Sequence, residues 1–139
     1  MGEVWLKLIG SSKDPCAENY AYDKEFVDFS KHRRPRHVHP GDQLVLYAAG
    51  GSKHLFALAR VTSEVYENHE YKDHPYRVNV SYDVKLPVSA GVHIDEITTP
   101  KRNLLGAIQG SYLRLKPEEF ELATSKLQKA KVSARGNHT

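Results

Sequence analysis

Long apolar runs, cysteine and a decisive excess of charge are all missing from this chain of 139 residues, which holds one cysteine, one methionine and one tryptophan. No stretch approaches the roughly 18 consecutive apolar residues of a membrane-crossing helix, so no membrane partner is expected. Cys16 alone cannot form an internal disulfide or a zinc site built from several cysteines, and a reduced, cytoplasmic setting follows as the expectation. With 20 Lys and Arg against 17 Asp and Glu the formal charge is only +3. That is too small to announce a polyanionic partner, so the positions of the charges have to carry the argument. Hydrolase signatures are missing as well, since Ser52, Ser63 and Ser111 have no Gly-x-Ser-x-Gly elbow around them. Of the eight histidines, His37 and His39 flank Val38, and His69 and His74 share a loop with Asp73. Neither set has the i, i+4 pair or the Cys/His spacing of a zinc site, so they read as solvated side chains and no metal or cofactor is expected.

What is present is enough for one compact core, because a chain of this length buries roughly 68% of its unfolded surface without staples. Val4 to Ile9 reads as a first strand, interrupted by Lys7, and not as a signal peptide. A polar loop from Gly10 to Asn19 follows. Tyr22, Phe26 and Phe29 fall at i, i+4 and i+7, which predicts a short helix over Tyr22 to Lys31. Leu44 to Ala48 and Leu55 to Val61 are apolar runs that pair as a hairpin across a Gly-rich turn. The clearest pattern is the alternation of Tyr76, Val78, Val80, Tyr82 and Val84 with Arg77, Asn79, Ser81, Asp83 and Lys85, the mark of a strand with one face on the core. Glu64 to Pro75 reads as a surface excursion long enough to cover a pocket. Val92 to Ile97 reads as a short strand or a turn of helix, and Thr98 to Gly110 as a loop. After a last strand at Tyr112 to Leu115, Pro117 opens a helix with Glu118, Glu119 and Glu121 at its positive end and Phe120, Ala123, Leu127 and Ala130 as its apolar stripe. Residues 1–130 form one domain in this reading, and 131–139 a flexible polar tail. Several short strands with few helices predict an α+β fold, a small and strongly curved β-sheet or barrel of about five to six strands, flanked by short helices and a C-terminal one.

Charge is most concentrated just before the Pro40-Gly41-Asp42 turn, where Lys31 to Pro40 carries Arg33, Arg34 and Arg36 and no acidic residue. Arginine's planar donor fork suits phosphate oxygens or a base face, so this loop and the second basic patch, Lys101 and Arg102, are candidate contacts for a nucleic-acid backbone. Phe26 and Phe29, where the predicted helix meets the basic loop, are candidates for base stacking, with Trp5 beside them. The other strand aromatics are core by the same spacing argument.

Four segments in order, Val38 to Tyr47, Leu58 to Tyr66, Pro75 to Val80 and Leu115 to Phe120, resemble the EVE domain of the PUA-like superfamily, which also holds the YTH domains. The resemblance covers most of Val4 to Gln128. It implies a pseudo-barrel whose aromatic pocket holds a modified base of DNA or RNA flipped from its strand. Phe26 stands where family members place a tryptophan, and the Gly-Val-Arg-Asn-Tyr string of many bacterial members is replaced by the basic run. Under this reading Phe26 and Phe29 shape the pocket with Trp5 as its floor, while Lys31, Arg33, Arg34, Arg36, Lys101 and Arg102 hold phosphates and Asn79 or Gln109 reads a base edge. The related ASCH domains offer a ribonuclease as the alternative, with Lys31 or Lys101 acting beside Asp42. A barrel that senses a free nucleoside is a third reading.

Overall fold

A computed structural model describes residues 2–10, 15–29, 35–49, 53–68, 70, 72–97 and 112–136. The first strand, β1 (Val4–Ile9), is followed by a single helical turn, α1 (Tyr20–Asp23), and by β2 (Phe26–Phe29). Then come β3 (Gln43–Ala48), β4 (His54–Val61), the short β5 (Tyr66–Glu67) and the long β6 (Tyr76–Lys85). The described chain ends with β7 (Val92–His93), β8 (Tyr112–Arg114) and the long helix α2 (Pro117–Gly136). Neighbouring strands run in the order β2-β6-β4-β3-β1-β8, with β5 paired to β6 and β7 to β4. Among the described strands only β1 and β3 are parallel, and the other ladders are antiparallel.

Curvature follows from β6, which pairs with β2 through Tyr76 to Asn79 and with β4 through Val80 to Lys85. Irregularities in the ladder between Leu58 and Ala59, and in β3 between Leu46 and Tyr47, add local twist. The sheet curls so far that its two ends meet. Phe29 on β2 and Tyr112 on β8 lie at opposite ends of the strand order, yet their rings pack edge to face with centroids 5.5 Å apart. The result is an α+β half-barrel of six main strands with a C-terminal helix on its outside.

The period-2 rule divides the apolar residues between two layers. Trp5, Ile9, Leu44, Leu46, Phe56, Val78 and Val80 fill the concave interior, together with Val27 and Phe29 of β2. Leu6, Leu8, Val45, Leu58 and Val84 point the other way and receive Ala123 and Leu127 of α2, with Phe120 and Ala130 packed at the margin. The helix starts as the sequence predicts, Lys116 donating its backbone N–H to the Glu119 carboxylate at 3.0 Å. It runs on to Gly136, so residues 131–136 are helical where composition predicts a tail.

The structure corrects one further expectation. The helix expected over Tyr22 to Lys31 does not form in its described part, residues 22–29: α1 ends at Asp23, Lys24 is extended, and Phe26–Phe29 is a strand with Val27 and Phe29 buried. Tyr22, Phe26 and Phe29 do fit one helical face, but Val27 and Phe29 fit a strand equally well, and pairing with β6 decides between the periods.

Lys7 shares the inward face of β1 with Trp5 and Ile9 and is only 2% exposed. Its ammonium donates to the Leu8 carbonyl at 2.7 Å and sits 4.8 Å from the centre of the Phe29 ring. Burial lowers its pKa to about 8, with the nearby Asp28 carboxylate opposing the shift. The unfolded chain therefore binds this proton more tightly than the native one, and the stability contributed by Lys7 rises as pH climbs from about 8 towards 10.5. Burial also raises the Cys16 thiol and the Tyr20, Tyr47 and Tyr82 hydroxyls, which costs stability at alkaline pH but acts equally in a Lys7 variant. The stability difference between wild type and Lys7→Met should thus move in favour of wild type by roughly 2 to 3 kcal/mol between pH 7 and pH 10. Urea melts at several pH values measure it, and a pH-independent difference would show that Lys7 is not held in a lowered-pKa state.

Candidate nucleic-acid interface

The Pro-Gly-Asp turn is built as its residue types demand. Asp42 donates its N–H to the His39 carbonyl at 3.0 Å across Pro40 and Gly41, and Gly41 has φ +93. This is a type II pattern, with proline at its second position and glycine where a side chain would be strained. The Asp42 carboxylate then accepts three hydrogen bonds, from Glu3 N–H at 2.8 Å, His39 N–H at 3.0 Å and the Trp5 indole Nε1–H at 3.2 Å. Asp42 is thereby occupied in bracing the turn and the first strand, the role its turn position predicts, with no oxygen free of such a bond.

Trp5 and Phe29 converge inside the half-barrel. Trp5 is 5% exposed, its ring packed against Tyr112 at 5.2 Å with the Arg114 guanidinium 5.2 Å from its centre. Phe29 is fully buried, between Tyr112 and the Lys7 ammonium. Neither ring presents an open face for a base.

Phe26 and Asn79 lie elsewhere and together. They are directly opposed in the β2–β6 ladder, as are Asp28 and Arg77, and these four alternate with the inward-facing pairs Val27–Val78, both buried, and Phe29–Tyr76, of which Tyr76 is half-buried. Tyr66 of β5 is opposed to Arg77 on β6's other edge. Phe26, Arg77, Asn79 and Tyr66 therefore share the outer, convex face of the sheet. The Arg77 guanidinium stacks 3.9 Å from the Phe26 ring centre, with the Lys24 ammonium 5.8 Å from it. Arg77 is itself 7% exposed, an exception to the alternation of β6 that follows from its place beneath Phe26 and beside β5. Asn79 is exposed and held on three sides. Its N–H donates to Ser63 Oγ at 2.9 Å, its carbonyl accepts from Thr62 N–H at 2.9 Å, and its side-chain Oδ1 accepts from the Tyr66 hydroxyl at 2.7 Å.

Arg36 is exposed in the turn that leads to Val38. Lys31, Arg33, Arg34, Lys101, Arg102 and Gln109 lie outside the described residues. Two participants escaped the sequence reading. The period of β6 alone puts Arg77 in water, and Tyr66 falls in the expected surface excursion because the dipeptide Tyr66-Glu67 is too short a strand to show a period. Among the described residues no group of three His, Cys, Asp or Glu side chains is placed to hold a metal ion, and no helix is long and apolar enough to cross a membrane.

No protein-family model matches the sequence, and no curated protein matches it. The fold is shared with solved structures. The Mmi1 YTH domain superposes with TM-score 0.67 at 13% identity, covering 95% of this chain and 78% of that one. A complex of the YTH domain-containing protein mmi1 with RNA gives TM-score 0.67 at 13% identity, over 97% of this chain and 87% of that one. Rpa0253 from Rhodopseudomonas palustris gives TM-score 0.55 at 15% identity, over 91% and 94%. This chain shares the half-barrel fold of YTH domains, and a structure similar to it is a complex with RNA.

The brace at Asp42 makes a measurable claim. Replacing Asp42 with Ala leaves the buried Trp5 indole donor and the part-buried Glu3 and His39 N–H groups without an acceptor, at roughly 1–3 kcal/mol for a fully buried group and less for the others, so Asp42→Ala should lose about 2 kcal/mol or more of stability. Urea unfolding followed by Trp5 emission reads this directly, because Trp5 is the one tryptophan. A loss below about 1 kcal/mol would remove Asp42 from its bracing role.

Proposed function

We propose that this protein is a nucleic-acid binding module of the EVE kind, which takes a base of RNA or DNA, modified in its natural ligand, out of its strand and stacks it on an aromatic side chain. The observation that carries the proposal is the convex patch of Phe26, Arg77, Asn79 and Tyr66. It pairs a half-exposed ring, polarised by a guanidinium 3.9 Å away, with an exposed amide held in a defined orientation. Stacking with added cation–π attraction is how single-strand binders grip bases of any sequence, and a fixed amide is how a base edge is read. The RNA-bound structure of the same fold supports the choice of partner class. Arg36, exposed near the turn, supplies a phosphate contact in this reading, as do the basic residues Lys31, Arg33, Arg34, Lys101 and Arg102.

The interior aromatics take a different part. Trp5 and Phe29 support the curvature that presents the patch, and the ring that meets a base is Phe26. Asp42, with its oxygens engaged in bracing, is not the acid of a ribonuclease in this proposal.

Phe26→Ala should weaken binding to short single-stranded oligonucleotides by the worth of one stacked base, about 1–3 kcal/mol or roughly five- to 150-fold. Wild-type affinity should also fall with salt in proportion to the phosphates contacted. Leu122→Ala, on the exposed side of α2, should change neither. Fluorescence anisotropy on matched plain and base-modified RNA and DNA strands tests all three points. Equal, weak affinity for every strand, unaffected by Phe26→Ala, would overturn the proposal.

A further inference from the structure

The amide of Asn79 is not free to turn, and that limits which bases it can read. Its Oδ1 faces the Tyr66 hydroxyl at 2.7 Å. Tyr66 belongs to β5, whereas Phe26, the direct ladder partner of Asn79, belongs to β2. Residues Tyr76 and Arg77 of β6 pair with both strands, so β5 and β2 flank β6 on opposite edges. With its oxygen engaged on the β5 side, the amide turns its Nδ2 hydrogens towards β2, where the Phe26 ring lies. A free asparagine offers a donor and an acceptor together, the pattern that matches adenine's N6 amino group and N7. A locked one turns its donor edge to the Phe26 side and keeps what is left of its acceptor capacity on the Tyr66 side. The Arg77 guanidinium and the Lys24 ammonium beside Phe26 are donors too, and the acceptor on this face, the Asp28 carboxylate, stands opposite Arg77 one step further along the ladder from Asn79.

On the reading that this face stacks a base, we propose that the Phe26–Asn79 patch selects a base with a keto oxygen over one with an exocyclic amino group, through the donor that Tyr66 orients on Asn79. A keto base such as guanine or hypoxanthine puts an acceptor oxygen at C6 and a second acceptor at N7, and both suit a donor-rich wall. Adenine puts an amino group at C6 against these donors, leaving donor facing donor in a partly desolvated contact. Tyr66 is a positioning residue here. Its hydroxyl sets the amide, and its ring, 38% exposed and anchored at the far end, adds a pre-ordered surface beside the base.

The test compares two single-stranded RNA hexamers of cytidine that carry one central inosine or one central adenosine, which differ chiefly in keto against amino at C6. Anisotropy titrations at fixed salt should give wild type a preference of about tenfold for the inosine strand, the worth of one hydrogen bond made rather than opposed. Tyr66→Phe keeps the ring and frees the amide, so the preference should collapse towards unity, chiefly by a gain in adenosine binding. Asn79→Asp, which can only accept, should invert it. Trp5 emission and thermal melting check that these exposed-site variants stay folded. Wild-type binding that is tight, sensitive to Phe26→Ala and equal for the two strands would overturn the keto preference while leaving the nucleic-acid proposal standing. A preference unchanged in Tyr66→Phe would overturn the locking role. Absence of binding to either strand, with Phe26→Ala behaving as wild type, would overturn both proposals together.

Discussion

One carboxylate ties together the parts of the chain that the fold must bring into contact. Asp42 closes the turn that starts β3, accepts the N–H that leads into β1, and holds the indole of Trp5 in the concave interior. β1 and β3 are the one parallel pair among the described strands, and a parallel pair cannot be set by a tight hairpin. Its register, Val4 opposite Gln43 and onward, begins at the residue after this brace. The Gln43 N–H to Glu3 carbonyl bond, at 2.9 Å, continues the same contact. The turn accepts it because Gly41 supplies the positive φ and Gly2 allows close approach: a Cβ on Gly2 would lie 2.3 Å from the Gly41 oxygen.

From that starting point the sheet curls until Phe29 reaches Tyr112, and the curl sorts the aromatic residues by role. Rings that face inward are consumed by packing against one another and around Lys7. An ammonium in such a place is costly, which is why burial lowers its pKa to about 8 and why its hydrogen bond to the Leu8 carbonyl and its seat over Phe29 matter. Rings that face outward keep exposed surface and gather polar partners. The convex face thus holds an accessible aromatic patch with fixed polar neighbours, although concavity is where a pocket is first sought.

Solved structures of the same fold span nearly the whole chain at identities of 13–15%. Such a likeness reflects a shared strand order and curvature and leaves the side chains of each member to define their own chemistry. Here those side chains form a donor-rich patch around one phenylalanine, assembled from β2, β5 and β6 and steadied by Ser63 and Thr62 at the end of the ladder.

The sequence by itself determined the strands whose patterns admit one period. The alternation from Tyr76 to Lys85, the apolar runs of β3 and β4, the Pro-Gly-Asp turn and the stripe of α2 were all legible, because side-chain direction in each follows from local geometry alone. Phe26 and Asn79 were legible as candidates, but not as neighbours. Their meeting needed β2 to be a strand, and a four-residue segment whose apolar spacing fits two periods is settled only by the strand that pairs with it. The burial of Lys7 and Arg77, the hold of Asp42 on Trp5 and the orientation of the Asn79 amide by Tyr66 were likewise decided by the tertiary structure. Each joins residues far apart in the chain or on different strands, and no local pattern encodes which edges of a curled sheet will face one another.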